Sequence, residues 1–223
     1  MTSSAGALRG LGRLGVLEIR LYAALLRWCV RRKDVPATAE PWPYAALATP
    51  LLWLWIFGSA TEVVVFHLII PWETVRIVVD IISIWGLIWM LGTLAAYRIR
   101  PHLLLPDELR VRNSVYHDIS VPTKTIVSAV GREVELPSSM RSLQIATDDD
   151  ACHVSVGVSG RTNVVLTLQS ATPVRTAKGT VAADTVRLWV DDPRSFVTPL
   201  NQQLAQAVDG IGPQPPKAEQ RRQ

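Results

Sequence analysis

The chain is poor in the residues that most chemistry needs. It has two cysteines and four histidines in 223 residues. Cys29 and Cys152 have no metal-ligand or redox partner at a recognised spacing, which excludes a zinc site or a disulfide framework read from sequence. There is no glycine-rich phosphate loop and no nucleophile elbow. His102, His117 and His153 stand isolated. Asp148, Asp149 and Asp150 are consecutive, so they diverge and lack the spacing of a calcium loop; they read as a solvated turn. No catalytic residue, metal site or cofactor is expected. Arginines interrupt the N-terminal segment too often for a cleavable signal peptide.

What the chain does have is apolar length, with 48% of its residues hydrophobic. Two runs, residues 48–70 and 74–97, each match the roughly 20 residues that a helix needs to cross a bilayer core. Only Pro71, Trp72 and Glu73 separate them. A soluble core helix carries a polar stripe, and residues 81–96 have none. The runs therefore predict a transmembrane hairpin within residues 44–97. Arg9, Arg13, Arg20, Arg27, Arg31, Arg32 and Lys33 precede it, and Arg98, Arg100, Arg110 and Arg112 follow it. The positive-inside rule then places both termini in the cytoplasm. Trp42, Tyr44 and Tyr97 suit a cytoplasmic aromatic belt, and Trp72 suits the outer interface.

Residues 1–43 divide into a basic helix and a proline-rich linker. Arg9, Arg13, Arg20, Arg27 and Arg31 are spaced by four, seven, seven and four residues, which sets all five on one helical face. Apolar residues fill much of the rest. This pattern predicts a helix lying in the membrane interface with its arginines toward anionic head groups. The bland alternative is a helix packed on the protein's own soluble domain. Residues 34–43 contain three prolines and read as an extended linker.

Glu62, Arg76 and Asp80 are ionisable groups within the runs. Such groups are costly in a bilayer and usually have a partner or a role. Arg76 and Asp80 are four apart and share a face, and Glu62 lies at similar depth on the other helix. The spacing predicts a polar cluster joining Glu62, Arg76 and Asp80. It is either a structural lock or an ion-handling site. His67 lies near the outer interface, off the face of Glu62. Gly92 and Ala96 form a small-xxx-small pair that permits close helix approach.

Residues 98–210 change character. Acidic and basic residues balance at twelve each over residues 98–212, and short alternating runs recur between turn residues. Candidate strands are 109–112, 116–121, 125–130, 134–136, 143–146, 152–158, 164–168, 174–176 and 185–190. About seven or eight strands with frequent turns are expected. Cys152 falls in register with Val154, Val156 and Val158 as a core position. A helix follows, with Asp192 as N-cap and Pro193 at its first position. Pro199 predicts a kink, with a restart capped by Thr198. Val197, Leu200, Leu204 and Val208 form its apolar stripe. Residues 211–223 read as a disordered tail.

The order of hairpin, opening strand, mid-domain stretch and closing helix resembles bacterial pleckstrin-homology-like (PH-like) domains carried on membrane hairpins. The resemblance rests on Leu109, Val111, Arg112, Asp118, Val121, Pro122, Ile126 and Val130, and on Asp191, Asp192, Pro193, Phe196 and Leu200. It implies an α+β membrane protein of the bacterial cytoplasmic membrane, with a small cytoplasmic β-rich domain of about seven strands and a C-terminal helix. It does not imply phosphoinositide binding, because the loop after the first strand, Asn113–Val115, has no cluster of Lys and Arg.

These features predict a non-enzymatic, multi-pass membrane protein. Its partners are the anionic bilayer and an unidentified protein or a second copy of itself; nucleic acid is not expected. The alternative is a subunit of an oligomeric channel or transporter using Glu62, Arg76 and Asp80.

Overall fold

The structure is a computed structural model that describes residues 3–137, 141–148, 151–176 and 179–209. It is α+β. Helix α1 (Ser3–Cys29) precedes a short strand β1 (Glu40–Trp42) and the helical pair α2 (Thr49–Ile69) and α3 (Glu73–Ile99). Eight further strands follow: β2 (His102–Leu104), β3 (Glu108–Asn113), β4 (His117–Pro122), β5 (Ile126–Glu135), β6 (Leu143–Asp148), β7 (Ala151–Val156), β8 (Arg161–Thr176) and β9 (Gly179–Leu188). Helix α4 (Pro193–Asp209) closes the described chain.

The helical pair matches the two apolar runs to within two residues. Both helices are long and apolar enough to cross a membrane. Only 6% of the apolar stretch of α2 and 17% of that of α3 is buried within the protein. Large side chains such as Trp53, Trp55, Phe57, Ile81 and Trp85 are exposed. Each would forfeit roughly 1.5–3 kcal/mol in water relative to burial, so a soluble core helix is a poor description of either.

The strands form one mixed sheet in the order β1-β2-β3-β4-β8-β9-β7-β6, with β5 paired to β8 off this path. β8 serves two neighbourhoods. Its first half pairs with β5, and its second half meets β4 at Ser120↔Arg175. A register shift between Thr167 and Thr172 separates the halves as β8 runs along β9. Asp184 holds that irregularity in place: its carboxylate accepts the N–H groups of Ala171 (3.1 Å) and Cys152 (2.8 Å). Those two N–H bonds hold its carboxyl below the usual carboxylate range. One neighbouring pair, β7 and β9, is parallel.

The core lies inside this curled sheet. Leu109, Val111, Ile119, Val154, Leu166, Val186 and Leu188 face it, and Phe196 and Leu200 of α4 cover it. Asp192 caps α4 by accepting the Ser195 N–H at 3.1 Å. The helix continues through Pro199 without the expected restart at Thr198. Apolar packing of Phe196 and Leu200 on the core offsets the missing hydrogen bond. Cys152 is only half-buried; it sits at the β6–β7 turn end, where the core has thinned.

The sheet has nine strands rather than about seven. β1 and β2 were not legible as strands, since each is three residues long, and β5 and β8 each absorb two of the expected short runs. Asp149, Asp150, Gly210 and the tail at 211–223 lie outside the described residues.

Helix α1 departs from expectation. It does not stand apart in an interface plane but packs along α3. Leu21 and Ala24 are buried in a cluster with Ala96, Ile99 and Val115. Gly92 makes this possible, since a Cβ there would lie 3.2 Å from the Leu21 carbonyl oxygen and 3.3 Å from its Cβ. Farther along, the Trp85 Nε1–H donates to Glu18 Oε1 at 2.6 Å and to the Tyr22 hydroxyl at 2.9 Å. Tyr22 in turn donates to Glu18 at 2.5 Å. Trp85 lies about 20 Å from the end of α3 at 1.5 Å per residue, so the contact is not confined to the last turn.

Candidate functional site

Four places are candidates: the ionisable groups of the hairpin, the arginine stripe, the junction of hairpin and sheet, and the sheet margins.

The ionisable groups of α2 and α3 are arranged differently from the expected cluster. Asp80 Oδ2 lies 2.7 Å from His67 Nδ1, across the top of the hairpin. The antiparallel turn at 70–72 brings α2's last turn level with α3's second, which favours His67 over the same-helix Arg76. Neither Arg76 nor Glu62 has an ion-pair partner within 4 Å among the described residues, and Glu62 is exposed.

The stripe is also broken up. Arg9 and Arg13 lie within α1, and their side chains fall outside what is described. Arg20 is exposed. Arg27 pairs with Asp34 at 3.0 Å. Arg31 lies beyond the helix end with φ +55°, the left-handed conformation of a helix-terminating residue. The Arg31 N–H donates to the Trp28 carbonyl at 3.0 Å and the Arg32 N–H to the Arg27 carbonyl at 2.9 Å. This is the paired C-terminal cap usually built on glycine.

The junction was the least expected feature. Asp34 is its hub: its carboxylate lies 3.3 Å from Arg100 and 3.9 Å from Arg112 as well as beside Arg27. Asp118 faces the same two arginines at 3.5 and 3.6 Å. The Arg112 side chain is 6% exposed, and burial lowers its pKa from the ordinary guanidinium value. A buried arginine needs compensation: the two carboxylates supply charge, and the Asp34 carbonyl accepts from Arg112 Nη1 at 2.9 Å, while Arg112 Nε has no hydrogen-bond partner among the described residues. The Asp34 N–H also donates to the Ile99 carbonyl at 2.9 Å. The linker is therefore fixed to the end of α3.

Beside this network, Tyr44 is fully buried and stacks on His102 with ring centroids 4.4 Å apart. Its hydroxyl accepts the Ser114 N–H at 2.7 Å. Tyr97 donates to Asn113 Oδ1 at 3.1 Å, and Trp42 packs edge-on to Phe196 at 5.2 Å. These three aromatics are junction packing, not an interfacial belt, because the folded sheet offers them closer partners. His102 accepts the Arg112 N–H at Nδ1 (3.0 Å) and donates from Nε2 to the Trp189 carbonyl (2.8 Å). Asp191 ties the other side, accepting the Ala46 N–H at 2.9 Å. The hairpin and the sheet are thus joined by hydrogen bonds, ion pairs and stacked rings rather than by a loose tether.

The sheet margins differ in how they are finished. The outer edge of β5 is covered by Asn201 of α4, whose side-chain amide accepts the Ala129 N–H (2.9 Å) and donates to its carbonyl (2.8 Å). β1 is three residues long and carries Pro41, which blunts an edge. β6 pairs only with β7, and its residues Ile145 to Asp148 are exposed. Two clefts flank α4. One, about 610 Å³, lies against β1 and the β2–β3 turn; the other, about 450 Å³, lies against β5.

Among the described residues, no three His, Cys, Asp or Glu side chains group as a metal site requires. The partners of His102 and Asp34 and the role of Asn201 were not legible in the sequence. Asn201 left a signal, a polar residue four beyond Val197 on an otherwise apolar stripe. The chain matches no protein-family profile, no curated protein and no solved structure.

Proposed function

We propose that this chain is a non-enzymatic integral membrane protein of the bacterial cytoplasmic membrane, whose hairpin anchors a cytoplasmic PH-like module that docks a protein partner or a second copy of itself. The end of α1 and the β-rich domain lie in the cytoplasm on this reading. The observation that carries it is the contrast between the margins of the sheet. Asn201 engages β5 at Ala129 and Pro41 blunts β1, while β6 presents an exposed strand with one side unpaired among the described residues. An open edge of this kind accepts an extended segment through main-chain hydrogen bonds. The rigid junction supports the reading too, because it holds that edge at a set orientation to the hairpin.

The test replaces Ile145 and Thr147 with lysine, as natural edge strands use lysine to refuse partners. The intact protein, purified in mild detergent, is expected to run as a self-assembly or a complex, and the double variant as a monomer. A wild-type protein that is strictly monomeric and partner-free refutes the docking role.

The alternative, a channel or transporter subunit using Glu62, Arg76 and Asp80, has less support. Arg76 and Glu62 are unpaired among the described residues, and Asp80 is engaged by His67.

A further inference from the structure

A second concentration of charge lies at the end of α1, away from the β6 margin. Arg31, Arg32 and Lys33 follow one another through the helix-terminating turn, and Arg98 of α3's last turn faces them across a cavity of about 500 Å³. The half-buried Trp28 supplies its apolar wall, with the buried Ile99 behind it. No carboxylate lines it among the described residues. None of the four cations lies within 4 Å of a carboxylate among the described residues. Asp34, next in sequence to Lys33, does not compensate them, because its carboxylate is committed to Arg27, Arg100 and Arg112.

The geometry is fixed rather than incidental. The Asp34 N–H to Ile99 carbonyl bond pins the turn to α3 at 2.9 Å. Arg31 holds a left-handed backbone at φ +55°, where glycine is the ordinary occupant of a helix-terminating position. Four cations from two elements are therefore held together against their own repulsion, at the point where the apolar surface of α3 ends.

We infer that Arg31, Arg32, Lys33 and Arg98 form a binding site for the phosphate head group of an anionic phospholipid, with Trp28 against its glycerol and first acyl carbons. Charge complementarity calls for a phosphate, and several arginine forks can share its oxygens. The apolar wall, continuous with a helix able to cross a membrane, favours a lipid phosphate over a soluble one. Juxtamembrane basic clusters gain affinity for anionic lipid with each added charge. This inference shares the membrane premise of the proposed function but does not depend on docking at β6.

The test uses the full chain in nanodiscs of phosphatidylcholine with one fifth phosphatidylglycerol, released into the gas phase for native mass spectrometry. The wild type is expected to retain one phosphatidylglycerol in preference to phosphatidylcholine. Arg32→Gln with Arg98→Gln should lower that preference roughly 10–30-fold. Arg32→Lys with Arg98→Lys should keep most of it, which separates lost charge from lost folding. Arg9→Gln with Arg13→Gln should leave it unchanged. Three results would overturn the inference: undiminished preference in the glutamine pair, an equal loss in the Arg9 and Arg13 pair, or full competition by millimolar glycerol phosphate. Failure of the wild type to enter nanodiscs would instead defeat the shared membrane premise, and the inference with it.

Discussion

His102 makes the junction sensitive to acid in a way that can be worked out from its partners. A backbone N–H can only donate, so Nδ1, which faces the Arg112 N–H at 3.0 Å, must be an unprotonated acceptor. Nε2 then carries the proton and donates to the Trp189 carbonyl at 2.8 Å. Protonating Nδ1 would turn an acceptor toward a donor inside a fully buried site. Burial, with the nearby Arg112 charge adding to it, pushes the His102 pKa down to about 4 from the ordinary 6.5. In the unfolded chain it returns to about 6.5. Between these values the unfolded state holds a proton that the folded state refuses, so stability falls as pH falls. The slope approaches 1.4 kcal/mol per pH unit, and the loss between pH 6.5 and 4 is on the order of 3 kcal/mol. Above pH 6.5 His102 contributes no pH dependence. The assay is chemical denaturation of the full chain in neutral detergent, followed by tryptophan fluorescence from pH 7 to pH 4, for wild type and His102→Gln. Carboxyls held low in the fold, such as Asp184 and Asp192, also cost stability as pH falls, but they act equally in both proteins. The variant should be the less stable at pH 7, and the gap should close by about 3 kcal/mol by pH 4. Parallel stability curves would refute the assignment of a neutral, doubly bonded His102.

Two further substitutions probe how the parts are held. Asn201→Leu leaves the Ala129 N–H and carbonyl without partners and should cost about 2–4 kcal/mol in the same denaturation assay; a loss under about 0.5 kcal/mol contradicts the edge-closing role. Gly92→Leu drives a side chain into Leu21, which a Cβ alone would approach to 3.2 Å. Overpacking of that kind costs about 1–3 kcal/mol, so α1 should part from α3 and trypsin should cleave faster after Arg20 and Arg27. Unchanged cleavage would show that α1 does not depend on this contact.

The strongly periodic features of the chain were legible in advance. The two apolar runs became α2 and α3, and alternation located seven of the nine strands. Asp192 and Pro193 marked the start of α4. What failed to read were interactions between residues far apart in sequence. The arginine spacing was real, but Gly92 gave Leu21 a closer berth than a flat interfacial pose, and Arg31 fell past the helix end. Arg76 and Asp80 share a helix face, yet the hairpin turn delivered His67 to Asp80. Tyr44 and Tyr97 have belt-like positions but were claimed by His102 and Asn113. The three-residue strands β1 and β2 carry too few residues to show a period, and only their pairing defines them.

The account rests on a hairpin that crosses a membrane, which puts its turn and the end of α1 on opposite sides. Trp72 is exposed in that turn, and Cys29 is exposed at the end of α1. The direct measurement uses sealed vesicles and a membrane-impermeant maleimide. One protein keeps Cys29 with Cys152→Ser; the other carries Trp72→Cys with both native cysteines replaced by serine. The account predicts that only one of the two is labelled until the vesicles are opened. Labelling of both in intact vesicles, or of neither until lysis, would contradict it.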